Sequence, residues 1–442
     1  MIKNRSLIFV YLFLLTAYHA GAQTTLPLSL QDAIAKGTEA SKSMKASDAR
    51  VQIAKAKYSE AIDGALPSVK LSAGYTRLSD IEQPKIKFPG TSEAVTLFPV
   101  YTNNYLAKLS VSETVFSGFR LKYAMESQRL LQKAAEYDSE KDKDEVVFGI
   151  VSAYFNLYKL KVSGQLINDN LNQVKEHVRE TSVWEKEGIA THNDVLRWQL
   201  QQSNIELTKM DIENNQAIAE YNFNLMLGIN SDTHVEVDTT EVEKLVPALT
   251  LNECFGKAME KRGDLMAMDM RSKAASNALK VAKNSYLPQL AVAGNYYDAR
   301  PNSRVIPPQD EFRTSWDVGL NFTWDLVSLY SNKHVVSEAN GLYRQTDESK
   351  NALSDAVKME VNQNYLLYVQ SKSKVDVMRK AVEQADENNR LMDSRYRNNL
   401  VTLSDLLDAN TTLLQSKINL ALAKADVQLA YYRLQKAIGT IQ

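Results

Sequence analysis

Apolar and polar residues alternate along one segment of the chain. From Trp316 to Leu326 every second residue is apolar, and polar or small residues occupy the positions between them. A period of two over this length predicts a β-strand with one apolar and one polar face. Together with shorter alternating stretches, it predicts four strands, at about 66–77, 104–116, 287–298 and 312–326.

Most of the remaining chain has helical periodicity. Segments without helix-breaking residues predict four long helices, at about 119–187, 193–227, 330–397 and 404–438. At about 1.5 Å per residue the longest would extend roughly 100 Å, which is more than the width of a compact domain. The last helix carries apolar residues at heptad spacing, which is typical of coiled-coil packing. These residues are Leu406, Leu413, Leu420, Val427 and Leu434.

The same order of elements occurs twice. Short motifs recur in register: Leu28-Ser29-Leu30 as Leu249-Thr250-Leu251, Leu66-Pro67 as Leu287-Pro288, and Gly228 as Gly439. Heptad-rich helices resemble one another by chance, but chance would not align Leu-Pro pairs and terminal glycines, so the pattern predicts an internal duplication. We therefore predict a first repeat at 23–229 and a second at 249–442, joined by an exposed connection at 230–248.

The chain begins with the features of a secretory signal peptide at residues 1–22. Lys3 and Arg5 precede an apolar run, and Ala20-Gly21-Ala22 provides small residues for cleavage. The apolar run is too short for a transmembrane helix, and no later stretch reaches the roughly 20 apolar residues that such a helix requires. The single cysteine, Cys254, excludes an intrachain disulfide.

Charge and composition exclude two classes of function. The 52 Lys and Arg residues are balanced by 53 Asp and Glu residues, so no basic surface for nucleic acid is predicted. None of the five histidines lies near another at metal-ligand spacing, and neither a phosphate-binding glycine loop nor a Gly-x-Ser-x-Gly motif occurs. We therefore expect no catalytic activity, no metal and no cofactor.

The predicted strands have the length and the two different faces of strands that cross a membrane at a tilt. An ordinary half-buried hairpin packed on a helix is the alternative. In lipid, each unpaired backbone group at an open sheet edge costs several kcal/mol. Membrane-spanning strands would therefore require several chains to share one barrel, and three chains would supply about twelve strands. The predicted aromatic girdle residues are Tyr75, Tyr105, Tyr296, Trp316 and Trp324.

Short motifs lie at corresponding places in both repeats. They are Asp194-Val195-Leu196 and Asp405-Leu406-Leu407-Asp408 after the helix turns, the Leu-Pro pair before the first strand of each hairpin, and Leu225-Met226-Leu227-Gly228 and Lys436-Ala437-Ile438-Gly439 at the repeat ends. With these motifs in this order, the chain resembles the TolC-like outer-membrane channel family over essentially its whole mature length. The resemblance implies an α+β membrane protein. It would be a homotrimer in which four strands per chain form a shared 12-stranded outer-membrane β-barrel and the long helices form a periplasmic α-helical barrel.

The resemblance further implies a passive exit duct of a tripartite efflux or type I secretion system. Its partners would be outer-membrane lipid, a periplasmic adaptor protein and an inner-membrane pump, and its cargo would be small molecules or proteins. It would lie in the outer membrane with a long periplasmic extension. The alternative is a periplasmic coiled-coil structural or adaptor protein whose strands form a soluble domain. The strict alternation from Trp316 to Leu326 argues against that alternative.

Residues at matching positions imply a narrow periplasmic mouth. Asp194, Asp405 and Asp408 match its acidic residues, and Tyr396 matches its latch tyrosine. Three copies of each aspartate around one axis would attract cations. For Asp194 and Asp405, stabilisation of a helix N-terminus is an alternative role, and the two roles are compatible.

The implied latch departs from the family pattern at two positions. Asn399 stands where the family usually has glycine, and Val401 stands where the best-known member has a latch arginine. Arg395 or Arg397 would have to replace that arginine.

The helix turns are predicted to contact the adaptor because they place apolar residues at the tip of a hairpin. The residues concerned are Gly188, Ile189, Leu400 and Leu403. On this interpretation, Leu403→Glu is expected to abolish efflux while leaving trimers intact.

Overall fold

The computed structural model describes residues 26–80, 85–96, 100–244, 246–398 and 400–441. The predicted signal peptide and Asn399 therefore lie outside the described residues. The chain divides into two compact units. The first contains the described residues of Met1–Ala49, Tyr137–Met266 and Ala352–Gln442, and the second contains those of Arg50–Glu136 and Ala267–Asn351. None of the helices in this described part of the chain combines the length and the hydropathy of a membrane-spanning helix.

Both repeats contain the same order of helices and long strands, and the first also contains three short strands. The first contains β1 (Leu26–Leu28), α1 (Leu30–Ala40), α2 (Lys42–Asp63), β2 (Ser68–Arg77), β3 (Lys85–Ile86), β4 (Val95–Thr96), β5 (Asn103–Phe116), α3 (Arg120–Lys186) and α4 (His192–Leu227). Strand β6 (Val235–Val237) and a 3₁₀ helix (Thr239–Glu243) follow. The second repeat contains α5 (Leu251–Lys261), α6 (Gly263–Asn284), β7 (Gln289–Arg300), β8 (Arg313–Thr323), α7 (Ser328–Arg397) and α8 (Leu403–Ala437). Helices α1 to α4 correspond to α5 to α8, and the hairpin of β2 and β5 corresponds to that of β7 and β8.

The connection between the repeats is a packed part of the first unit. Strand β6 pairs in parallel with β1 in a two-stranded sheet. Val235 and Val237 are buried in a core that includes Tyr154 of α3, and the Tyr154 hydroxyl oxygen accepts a hydrogen bond from the Asp238 amide at 2.8 Å. The prediction of an exposed connection at 230–248 is therefore wrong for these residues. Their two valines alternate toward the core, and their backbone groups are paired.

Each repeat ends in a glycine with a left-handed backbone, with φ of 68° at Gly228 and 69° at Gly439. A Cβ at Gly228 would lie 2.7 Å from the Cβ of Ala40, at the end of α1. At Gly439 it would lie 2.9 Å from the carbonyl carbon of Lys261, at the end of α5. Left-handed backbone favours glycine, and these approaches leave no room for a side chain. The two glycines thus recur for one reason, which is a tight chain turn packed on the end of a short helix.

Arg262 holds the break between α5 and α6 in the first unit. Its Nε and Nη2 donate to the two carboxylate oxygens of Asp264 at 3.0 and 2.6 Å. Its Nη1 donates to Glu360 of α7 at 2.6 Å and to the Ala437 carbonyl of α8 at 3.0 Å. One largely buried guanidinium therefore joins three helices, and the paired geometry is that of a strong charge-assisted hydrogen bond.

The second unit contains an antiparallel sheet in the order β2-β5-β7-β8. Cross-strand partners place apolar residues of all four strands on one face, with Leu71 opposite Leu109 and Tyr296 opposite Trp316. This face is open, since 78% of Leu71 and 72% of Trp316 are exposed. The alternative of a hairpin whose apolar face is packed on a helix is therefore excluded.

Strand β8 ends at Thr323, a little before the predicted end at 326. The Trp324 indole Nε1 donates to the Tyr286 carbonyl at 3.1 Å. The Asp325 carboxylate accepts from the Val327 amide at 3.0 Å. These hydrogen bonds hold the turn between the end of β8 and the start of α7. The alternation of apolar residues thus extends past the last paired residue of the strand.

Candidate functional site

The first helix turn, between α3 and α4, is built by one glycine and one capping box. Gly188 has a left-handed backbone with φ of 74°, and the Ile189 amide donates to the Trp184 carbonyl at 2.8 Å, which ends α3. Thr191 then caps α4. Its side chain accepts from the Asp194 amide at 3.2 Å, and the Asp194 carboxylate accepts from the Thr191 amide at 2.9 Å.

The second turn, between α7 and α8, also leads into a helix with a capping box. The Leu400 amide donates to the Arg395 carbonyl at 2.9 Å. Thr402 caps α8, since its hydroxyl accepts from the Asp405 amide at 3.3 Å and the Asp405 carboxylate accepts from the Thr402 amide at 2.9 Å. The Thr402 hydroxyl also donates to the Asp405 carboxylate at 2.6 Å. This bond, and after it the bond from the Thr402 amide, lowers the pKa of the Asp405 carboxyl. The capping role considered for Asp194 and Asp405 is therefore present at both positions.

Asp408 lies one helical turn after Asp405 on α8 and is exposed, as Asp405 is. Residues four apart lie on one face of a helix, and residues three apart are also neighbours. The two carboxylates therefore share a stripe of the helix surface.

Tyr396 lies close to Asp194 although the two residues belong to different repeats. The Tyr396 ring is half-buried, with its centre 6.4 Å from that of Trp184. Burial, and after it the charge of Asp194, raises the pKa of the Tyr396 phenol. The structure thus brings the predicted latch tyrosine and one predicted gate aspartate together. No direct hydrogen bond joins these two side chains among the described residues.

The four predicted tip residues do not share one environment. Ile189 and Leu400 project from the turns with 60% and 74% exposed. Leu403 is buried, with 3% exposed, and packs in a cluster with Trp198 and Leu406. The prediction that Leu403 forms an exposed contact is therefore wrong, because Leu403 already belongs to the apolar stripe of α8. Gly188 shapes its turn and carries no side chain for a contact.

Arg397 joins the two hairpins near these turns. Its Nη2 lies 3.5 Å from Glu180 of α3, and its Nε lies 3.1 Å from Asp393 of its own helix. Of the two arginines considered as substitutes for the absent latch arginine, Arg397 is thus the one that makes a contact between the repeats.

Sequence reasoning missed a stacked pair next to this contact. The His177 ring lies on the indole of Trp198, with centres 4.4 Å apart and planes 14° from parallel. Burial lowers the pKa of His177, against the opposing effect of Asp393 and Glu180. Because the two residues lie on different helices, their spacing in the chain gave no signal.

The residues predicted to form an aromatic girdle lie on the open face of the sheet or just beyond it. Tyr75 is the cross-strand partner of Tyr105, with ring centres 5.0 Å apart, and Tyr296 is the partner of Trp316. Trp324 follows β8 and is half exposed. The five residues therefore form two cross-strand pairs and one separate indole.

The described residues contain no group of three or more His, Cys, Asp or Glu side chains that could hold a metal ion.

The fold and these surfaces define a class of protein with long paired helices and a sheet that is apolar on one side and polar on the other. The chain belongs to the outer membrane efflux protein family, whose model matches residues 34–229 and 255–440. The two matched segments lie in the two repeats. No curated protein sequence matches the chain.

Three solved channels illustrate the similarity of fold. VceC of Vibrio cholerae has a TM-score of 0.77 at 16% identity, covering 93% of this chain and 96% of its own. The MtrE outer membrane channel of Neisseria gonorrhoeae, in its open state, has a TM-score of 0.74 at 15% identity, covering 93% and 88%. The outer-membrane channel OprN has a TM-score of 0.74 at 19% identity, covering 93% and 89%.

Membership of this family confirms the predicted fold class, with long helices, four long strands per chain and an internal duplication. The family consists of transport channels without enzymatic activity, so the prediction that this chain is not an enzyme is also confirmed.

Proposed function

We propose that three copies of this chain form one outer-membrane channel, in which the sheets close a shared 12-stranded β-barrel and the long helices form a periplasmic α-helical barrel. The observation that carries this proposal is the open apolar face of the sheet, which no other described element covers. Lipid suits such a face, and a water-filled lumen suits the polar face behind it. Strands β2 and β8 are the edges of the sheet. Pairing between neighbouring copies would satisfy their backbone groups.

The channel acts as a passive exit duct in a tripartite efflux or type I secretion system. A periplasmic adaptor protein and an inner-membrane pump deliver small molecules or proteins to it. The exposed Ile189 and Leu400 side chains are suited to adaptor contact, because each is an apolar residue at the tip of a helix hairpin. Covering such a side chain with a partner removes apolar surface from water, which favours association.

The acidic stripe of α8 lines the periplasmic mouth in this proposal. Asp405 and Asp408 are exposed, and the lowered pKa of Asp405 keeps its negative charge. Three copies would make a ring that favours cations. The Arg397 contact to Glu180 joins the two hairpins and holds the mouth in its resting form, and Tyr396 and Asp194 lie near the same turns.

The test is single-channel conductance of the detergent-purified mature protein in planar bilayers. We expect trimers with discrete, cation-selective openings, and a cation preference that falls about twofold to fivefold when Asp405→Asn and Asp408→Asn are combined. Glu253→Gln is the matched control, because Glu253 closes a similar capping box with Thr250 at the start of α5. A water-soluble monomer without conductance would contradict the channel, and would favour the coiled-coil structural protein instead. Unchanged selectivity in the double variant would contradict the acidic mouth alone.

A further inference from the structure

The polar face of the sheet carries two adjacent rows of side chains whose charges do not balance. In one row, cross-strand pairing joins Ser72, Lys108, Tyr297 and Ser315. In the next row it joins Lys70, Ser110, Asn295 and Asp317. Two lysines and one aspartate therefore lie in neighbouring rows of one surface.

The aspartate is already neutralised by a third cation. Asp317 forms a salt bridge with Arg304, and it also accepts a hydrogen bond from the Asn295 amide group at 2.7 Å. Arg304 comes from the loop that follows β7, and its guanidinium carbon lies 4.5 Å from the centre of the Tyr297 ring.

A buried asparagine fixes this loop over the polar face. The Asn302 side chain donates to the Arg313 carbonyl at 2.8 Å, and its oxygen accepts from the Arg304 amide at 2.9 Å. Asn302 itself is buried. Arg304 is thus held where it pairs with Asp317, and the aspartate is not left to balance the lysines.

Lys70 and Lys108 have no carboxylate partner among the described residues. Lys108 lies with its Nζ 5.3 Å from the centre of the Tyr297 ring, which is a cation-π contact that leaves its charge intact. Lys70 is exposed. The two rows therefore keep two unbalanced positive charges in each chain.

We propose that Lys70 and Lys108 form a cationic band that favours the passage of anionic cargo, such as organic carboxylates or phosphates. This inference rests on the proposed channel, in which the polar face lines the lumen. Three chains would bring about six unpaired ammonium groups to neighbouring levels of one pore, and a ring of like charge inside low-dielectric walls raises the local concentration of the opposite ion. The band opposes the cation preference of the proposed acidic mouth.

The test measures the reversal potential of single channels in a potassium chloride gradient. The Asp405→Asn and Asp408→Asn background removes the acidic ring, so that it does not mask the band. In this background we expect Lys70→Gln with Lys108→Gln to lower the chloride to potassium permeability ratio about threefold. Lys85→Gln is the control, since it removes the same charge from an exposed residue of β3, outside the four-stranded sheet. It is expected to leave the ratio unchanged.

A second variant moves the ratio in the opposite direction. Asp317→Asn leaves Arg304 without its carboxylate partner and so adds an unbalanced positive charge to the polar face. The chloride to potassium permeability ratio should therefore rise above that of the same background without this substitution. Trimer formation of each variant in detergent shows whether it has folded. Conducting trimers whose ratio is the same with and without the two lysines would overturn the cationic band. Absence of conductance in the unaltered protein would instead overturn the proposed channel, and with it the lumen on which the band depends.

Discussion

The Asp405 side chain, near the second helix turn, combines a role in capping α8 with the proposed role in the pore. The Asp405 carboxylate completes a capping box, and the same hydrogen bonds keep its pKa low. A carboxylate that accepts such hydrogen bonds stays ionised to a lower pH than a free one. The capping role of Asp405 therefore does not compete with its proposed pore role, and it preserves the negative charge of this side chain.

His177 should make stability depend on pH. Burial lowers the pKa of His177 in the folded protein below its ordinary value of 6.5. At a pH between the folded-state pKa and 6.5, the unfolded chain therefore binds more protons than the folded one. Stability should therefore fall as the pH drops below about 6.5, and level off above it. His177→Phe keeps a ring on Trp198 without a titrating group, so its melting temperature should fall less between about pH 6.5 and pH 5.

Thermal unfolding of the detergent-solubilised protein measures this difference. His334→Phe is the control, because His334 is exposed and should leave the pH dependence of the melting temperature as it is. Parallel pH profiles for the unaltered protein and His177→Phe would show that His177 is not the group responsible.

The long helices and strands could be predicted from the sequence, and the short strands could not. Strand β8 was predictable because its two faces meet different surroundings, which imposes a strict alternation from Trp316 onward. Strands β1 and β6 were not, because three residues are too few for any period to appear. The burial of Leu403 had a signal, since Leu403 lies one turn before Leu406 on the same stripe of α8. Because a hairpin tip and a helix start coincide at that position, the sequence alone does not tell an exposed tip residue from the first buried residue of α8.

The break between α5 and α6 depends on one arginine. Burial alone would raise the pKa of the Asp264 carboxyl, but pairing with Arg262 holds this pKa below its usual value. Arg262→Ala would leave this carboxylate buried without its partner, which typically costs about 3 to 5 kcal/mol. We therefore expect a large loss of thermal stability in detergent. Arg379→Ala is the matched control, because its partner Asp376 is exposed, and such pairs contribute about 1 kcal/mol or less. Equal losses in the two variants would contradict a special role for Arg262.

The exposed residues of the helix turns are expected to act in the assembled efflux system, where they would contact the adaptor. Leu400→Glu places a charge at an apolar tip without disturbing a core, since Leu400 is largely exposed. Loss of one anchor of about 2 kcal/mol would weaken adaptor binding about thirtyfold. We expect efflux to fall while trimers persist, as judged by cell susceptibility and by detergent extraction of the trimer.

Two further variants separate this effect from misfolding. Leu403→Glu buries a charge and should reduce the amount of trimer itself. Ile306→Glu alters an exposed apolar residue in the loop after β7 and should leave both efflux and trimer unchanged. Full efflux by a trimeric Leu400→Glu protein would show that this turn is not an adaptor contact.

The edges of the sheet have a consequence for how the channel comes into being. The four-stranded sheet of one chain has two edge strands, β2 and β8. An open pair of chains would still have two free edges, because the added copy brings two edges and the junction pairs one edge from each copy. Only the third chain closes the ring and leaves none. A partial oligomer in lipid therefore has as many unpaired strand edges as a single chain and is little more stable. Assembly should behave as an all-or-none reaction whose rate rises steeply with the concentration of chains. Each newly made copy must also be protected until its two neighbours arrive, because an exposed strand edge is a template for aggregation.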